Sequence, residues 1–296
     1  MNFFTRAIKF NKPVVINTFY QSQRLIHAYQ YDERENYPKV YDKEPKEKLS
    51  LLQQAKNGYL GLKKECNLFI KEIKQTVTED EEIMVKPNEV EVIWRFNGDP
   101  KCLDPWLSVC DSDYNQGYST CKLELTPEGK ALFSGNLDYR IPKDGQIYKA
   151  GYCALRTARF RKSFKRETSL NWKSYNHLVM RVRGDGRVYM INIGNKGHFD
   201  LRWNDLYNYV LFTRGGPYWQ YVRIPFSKFF LSTHGRIQDT QTPINLDNVS
   251  SFGIIASDKI PGPFKLEIDY IGLEYDPAET EEFNNIYFCK YYHTRP

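Results

Sequence analysis

Acidic residues are missing from the first 31 positions of this 296-residue chain, where Arg6, Lys9, Lys12 and Arg24 all fall. They are interspersed with Phe3, Phe4, Ile8, Phe10, Phe19, Leu25 and Ile26, and with Thr and Ser. A cationic, carboxylate-free, partly apolar start has the composition of a mitochondrial transit peptide, so residues 1–31 are expected to direct import. The longest apolar run there, Val14 to Ile16, is too short for a secretory core or a membrane span. With this segment set aside, most of the formal charge of +6 goes with it and the remainder is close to balance. No basic stripe, zinc-finger spacing or RNP-type signature remains, which excludes nucleic acid as an expected partner.

Histidine is scarce, and its spacing supports no metal chemistry. His27, His177, His198, His234 and His293 form no HxH, HExxH or HxxxH pattern. The cysteines, Cys66, Cys102, Cys110, Cys121, Cys153 and Cys289, make no CxxC or CxxxC pair. In a reducing compartment they read as free thiols, several of them small apolar residues on strands, with a redox pair left open. GxSxG, GxGxxG and GxxxxGK[ST] are absent, so no hydrolase elbow, dinucleotide site or phosphate loop is expected, and with them no catalytic residue and no cofactor. Asp111 and Asp113 with Asn115 offer oxygen ligands, but the loop lacks the glycine and closing Glu of an EF-hand and reads as a solvated turn.

What the chain has in quantity is aromatic residue, 15% in all with 22 Tyr and 18 Phe, which favours strands. In HLVMRVRGDGRVYMINI, from His177 to Ile193, apolar residues alternate with period two on both sides of Gly184-Asp185-Gly186. That pattern predicts two strands joined as a hairpin, with the glycines supplying positive φ. The embedded Arg183-Gly184-Asp185 is a tripeptide with a turn to make, rather than an adhesion motif. Val90 to Phe96 alternates in the same way, and Thr126-Pro127-Glu128-Gly129 joins Cys121–Leu125 to Ala131–Phe133 as a second hairpin. Further strands are expected at 152–159, 207–213, 219–225, 252–257 and 264–275. Nine or ten strands without an intervening helix point to a mainly β fold, a jelly-roll or β-sandwich over 88–276, followed by a tail at 277–296.

Ahead of the strands, residues 32–48 read as a charged linker with Pro38 and Pro45, and 49–78 as an amphipathic helix. Leu52, Ala55, Tyr59, Leu62, Cys66, Phe69, Ile73 and Thr76 recur at steps of three and four, with lysines mainly elsewhere. Gly58 and Gly61 weaken it by about 1 kcal/mol each relative to alanine, so it needs a surface, either its own β domain or a groove on a partner. Leu62, Phe69 and Ile73 are the candidate contacts. A second candidate is RTARFRKSFKR, where Arg156, Arg159, Arg161, Lys162, Lys165 and Arg166 crowd around Phe160 and Phe164. It reads as a solvated loop or a docking patch for anionic lipid or an acidic partner. Trp172, Trp203 and Trp219 raise a sugar-binding platform as an alternative, and a hydrolase with a non-local active site is a more distant one.

Several segments together carry a resemblance. GYCALRT from Gly151, LVMRVRGDGRVYMINI from Leu178, WQYVRIPFSKF from Trp219 and FKLEIDYIGL from Phe264, with SVCDSDYNQGYST from Ser108 and FSGNL from Phe133, resemble the complex I intermediate-associated protein 30 family. The resemblance spans about Asn88 to Asp276. Where the family pattern has two glycines before the serine, this chain has Gly117-Tyr118-Ser119. The resemblance implies a galactose-binding-like sandwich with no catalytic residue or cofactor. It further implies a chaperone for assembly of mitochondrial NADH:ubiquinone oxidoreductase, complex I, in the matrix at the inner membrane. Implied partners are membrane-arm intermediates and other assembly factors, including an acyl-CoA dehydrogenase-like factor and an ECSIT-like adaptor.

Overall fold

The computed structural model describes residues 50–78, 85–143, 145, 150–158, 160, 162–166, 168–196, 205–233 and 236–279. The segments 1–31 and 32–48, read above as leader and linker, lie outside them, as does the tail beyond 279. One long helix, α1 (Leu51–Thr78), precedes thirteen strands among the described residues. These are β1 (Val90–Arg95), β2 (Trp106–Cys110), β3 (Thr120–Leu125), β4 (Ala131–Leu137), β5 (Cys153–Thr157), β6 (His177–Arg183) and β7 (Val188–Asn195). β8 (Asp205–Phe212), β9 (Gln220–Pro225), β10 (Phe230–Thr233), β11 (Arg236–Ile237), β12 (Val249–Ala256) and β13 (Gly262–Glu274) complete them.

The strands make two antiparallel sheets. The first runs β3-β4-β13-β6-β9 with β1 added on β13, and the second runs β11-β10-β8-β7-β12-β5-β2. The expected mainly β sandwich with an N-terminal helix is therefore what the chain builds. Period two turns one side of each strand inward: Leu178, Met180 and Val182 on β6 and Leu266 and Ile268 on β13 face Tyr189, Ile191 and Ile193 on β7 and Phe252 and Ile254 on β12, all buried in one core. Burial of each such side chain is worth about 1.5–3 kcal/mol relative to exposure. An aromatic layer closes one end. Trp94 meets Trp106 edge-on at 5.4 Å and Trp172 at 6.4 Å, and Trp172 stacks on Phe226 at 5.9 Å.

The hairpin expected across Gly184-Asp185-Gly186 is not one. β6 pairs with β13 and β9 in the first sheet, whereas β7 pairs with β12 and β8 in the second, so the turn carries the chain from one wall of the sandwich to the other. Alternation looks the same in a hairpin and in such an arch, because both place alternate residues in the core. Only Gly186 takes a positive φ, +89°. Gly184 is needed for space, since a Cβ there would fall 2.3 Å from Thr213 Cβ. The β3–β4 hairpin does form as read, with Leu125 opposite Ala131.

The register fixes which loops share an end. Cys110, Cys153, Ala256 and Tyr189 lie in one row of the second sheet, and Gly262 and Leu137 pair at the corresponding end of the first. The connections that leave Cys110, Leu137, Arg183, Phe212 and Ala256 thus all start at the same end of the sandwich, and each leads to a strand of the opposite sheet. The β3–β4 hairpin and the chain leaving β5 at Thr157 lie at the other.

Candidate functional site

Helix α1 begins with a capping box. Ser50 Oγ accepts from the Gln53 N–H at 3.3 Å, and Gln53 Oε1 accepts from the Ser50 N–H at 3.1 Å. Its lateral contact is narrow. Glu72 accepts from the Ser163 N–H at 2.5 Å and the Ser163 hydroxyl at 2.8 Å, and pairs with Arg166, while Glu65 accepts from the Phe164 N–H at 2.6 Å. Phe69 meets Phe164 edge-on at 5.8 Å, and the Arg166 guanidinium lies over the Phe69 ring at 5.4 Å. The Ser163 N–H, with help from its hydroxyl and Arg166, holds the Glu72 carboxyl below its ordinary value. Phe164 sits at φ +55°, a left-handed conformation unfavourable for an aromatic residue, with its N–H and its ring both occupied by α1.

The helix and the RTARFRKSFKR segment, read separately as two docking candidates, thus meet each other. Arg166 and the backbone of Ser163 and Phe164 bind carboxylates of α1. Lys162 is exposed, Arg159 and Arg161 lie outside the described residues, and Lys165 belongs to the helical turn Ser163–Lys165. On the helical repeat, Glu65 and Glu72 occupy one shoulder of the apolar seam, with Phe69 beside them. The rest of that seam is open: Leu62 is 57% exposed and Ile73 48%, and Tyr59 and Ile70 are more than half exposed. Exposed Lys56, Lys63 and Lys74 border its opposite shoulder. Glu65 and Glu72 were not among the residues singled out from the sequence. Their i, i+7 spacing on a lysine-rich helix is the signal that could have found them.

The loop containing Asp111 differs from its reading as a solvated turn. Asp111 is fully buried, and accepts from the Ser119 N–H at 2.8 Å, the Ser119 hydroxyl at 3.1 Å and the Gly151 N–H at 2.6 Å. Gly117 makes room for it, because a Cβ there would lie 2.1 Å from Asp111 Oδ2. Tyr118, where the resemblance implies a second glycine, needs no positive φ and lies under the Arg140 guanidinium at 5.2 Å. Asp113 accepts from the Cys110 N–H at 2.8 Å. Spacing alone shows acids in a loop and cannot show that one of them turns inward to tie three strands.

Cys110 and Cys153 stand opposite each other on β2 and β5, and Cys121 reaches them from the first sheet. Hydrogen bonding from Cys121, with burial, pushes the Cys110 thiol up. The Cys110 contact pulls Cys121 down, but the Cys153 contact and burial outweigh it and raise the thiol. The five described cysteines are free. Among the described residues, no cluster of His, Cys, Asp or Glu is arranged to hold a metal ion.

Among the described residues, Trp172 and Trp219 do not form an exposed sugar platform. Trp172 is buried against Phe226, Trp203 lies outside the described residues, and Trp219 is half-buried with Arg181 and Arg183 over its ring at 5.1 and 4.9 Å. Arg183 also donates from Nε to Glu267 at 3.0 Å, and Asp185 accepts from the Tyr189 hydroxyl at 3.1 Å and the Lys265 N–H at 2.7 Å. The Arg-Gly-Asp side chains therefore serve the fold.

The family pattern described as complex I intermediate-associated protein 30 matches residues 94–268, from Trp94 on β1 to Ile268 on β13. The chain is 50% identical over 233 residues to the Drosophila melanogaster protein "Complex I intermediate-associated protein 30, mitochondrial", covering 78% of each. It is 46% identical over 196 residues to the Mus musculus protein of that name, covering 66% of this chain and 59% of the mouse one. A Caenorhabditis elegans relative, named as a probable member, is 46% identical over 200 residues and is covered over 58% of its length. The chain thus spans less than two thirds of the mouse and nematode proteins. Among solved structures, the family 11 carbohydrate-binding module of the cellulosomal cellulase Lic26A-Cel5E of Clostridium thermocellum aligns at TM-score 0.45 and 15% identity, over 66% of this chain and all of the module.

Proposed function

This chain belongs to the complex I intermediate-associated protein 30 family, and from that premise we propose that it is a mitochondrial assembly factor for respiratory complex I, acting as a scaffold on intermediates of the complex. The observation that carries this is the 50% identity to the fly protein over 233 residues, more than the sandwich alone contains. The scaffold works by contact rather than by catalysis. The sandwich supplies a rigid body, and α1 presents the open seam of Leu62 and Ile73, with the still accessible edge of Phe69, to an apolar groove of a partner, with Lys56, Lys63 and Lys74 meeting an acidic rim. Exposed Lys162 adds a cation on the Glu65 and Glu72 side of the helix, and Arg159, Arg161 and Lys165, near it in sequence, are further candidate contacts, while Arg166 fixes the helix in place.

The membrane arm of the complex is the part of it that needs shielding before it is complete, so the proposed place of work is the matrix side of the inner membrane. Candidate partners are membrane-arm intermediates and fellow assembly factors of the acyl-CoA dehydrogenase-like and ECSIT-like kinds. Among the described residues, no helix is long and apolar enough to cross a membrane, which suits a peripheral role. Two-dimensional native gels of mitochondrial extracts test the reading. The tagged chain is expected to co-migrate with partly built complex I and not with the finished enzyme; migration solely as a free protein would reject it.

A further inference from the structure

Among the exposed large apolar side chains of the sandwich, five fall on or beside the loops that cross between the sheets at one end. Tyr118 is 52% exposed, Ile141 46%, Phe212 68%, Tyr218 81% and Ile260 56%. Each stands on a different connection, except that Phe212 and Tyr218 flank the same one. Helix α1 docks beyond Thr157, at the opposite end.

These loops are stiff. Arg187 donates to Asp258 at 3.1 Å and to the Ile260 carbonyl at 2.8 Å, Thr213 Oγ1 accepts from the Gly186 N–H at 3.2 Å, and the Tyr139 hydroxyl accepts from the Lys259 N–H at 2.6 Å. Their described carboxylates turn inward: Asp111 and Asp113 hold the 111–119 loop, Asp138 pairs with Arg140, Asp185 holds its own turn and Lys265, and Asp258 holds Arg187. Among the described residues of these loops, the exposed charges without an acidic partner named above are Lys143, Arg214 and Lys259, and exposed Arg140 and Asp185 are engaged with Asp138 and Lys265.

Separate apolar tips divided by cations differ from the contiguous, well-packed cluster that makes a protein-binding hot spot. Each tip can enter a fluid interface independently, with tyrosine keeping its hydroxyl at headgroup depth and lysine and arginine reaching phosphates. We propose that this loop end is a docking surface for an anionic lipid bilayer, with Phe212, Tyr218 and Ile260 inserting and Lys143, Arg214 and Lys259 binding headgroups. The inference deepens the peripheral membrane role proposed above and rests on it for which bilayer is met in the cell.

Flotation of the full chain with vesicles tests it apart from any effect on complex I. Binding is expected to vesicles of phosphatidylcholine and phosphatidylserine in equal parts, and to fall about tenfold for Phe212→Ser with Tyr218→Ser as the apolar contact is lost. Arg214→Glu with Lys259→Glu removes the preference over phosphatidylcholine alone, and Ile237→Ser, on a strand away from these loops, changes nothing. Matching thermal melts show that the variants fold. No binding to the anionic vesicles, or binding indifferent to the tip variants, overturns the proposal; so does tip-dependent capture of a soluble protein without vesicle binding.

Discussion

Removing the Asp111 carboxylate strands the Ser119 and Gly151 amides without their acceptor inside the protein. Asp111→Ala is expected to cost about 3 kcal/mol in urea unfolding, the scale of breaking a buried charged hydrogen-bond set. Gly117→Ala is expected to destabilise for the complementary reason, since its new methyl group would displace the same carboxylate. Buried His177 gives a pH signature. Burial, with the Arg223 charge, holds its imidazole below the ordinary 6.5, against the pull of Glu279, Glu274 and Asp276. The unfolded chain therefore binds the proton first as pH falls through 6.5, and the folded state loses stability from there down to the lowered folded value. Carboxylates held below their ordinary values, such as Glu267 and Asp276, add a loss only in the more acidic range. Melting temperatures measured from neutral to mildly acidic pH should show the first limb in the wild type and lose it in His177→Gln.

At the scale of elements, the helix and its dock are separable from the sandwich. Gly58 and Gly61 have nothing within 4 Å of a built Cβ, so Gly58→Ala and Gly61→Ala are each expected to stabilise α1 by about 1 kcal/mol, read as increased helical circular dichroism. Glu72→Ala removes the acceptor of Ser163 and the partner of Arg166, and should raise amide exchange along α1 by about tenfold while the strands keep their protection. The helix and most of the strands were legible in sequence because periods of 3.6 and 2 are properties of single segments, whereas β2, β10 and β11, at two to five residues, are too short for period two to show, so thirteen strands form among the described residues where nine or ten were expected. The connection at Gly184-Asp185-Gly186 was not, because alternation is blind to whether the next strand joins the same sheet or the opposite one. For the same reason the two docking candidates could be found separately, while their contact through Glu65, Glu72 and Phe164 depends on chain segments about ninety residues apart.

At the scale of the whole molecule, the sandwich separates two surfaces: the open seam of α1 at one end, and the five apolar loop tips at the other. On the proposed reading, one end holds a partner and the other faces lipid, which would keep a membrane-arm intermediate beside the bilayer while subunits are added. Replacing Leu62, Phe69 and Ile73 with Asp should reduce co-purification of complex I intermediates severalfold without shifting the sandwich's unfolding, because none of the three belongs to the sandwich core, Phe69 packing only on Phe164 and Arg166 of the helix dock. The central claim, that the chain serves assembly of complex I, is tested most directly by deleting its gene and resolving the respiratory complexes on native gels. The account predicts loss of mature complex I with accumulated subcomplexes and the other respiratory complexes intact, restored by re-expression of the chain; normal complex I in the deleted cells would contradict it.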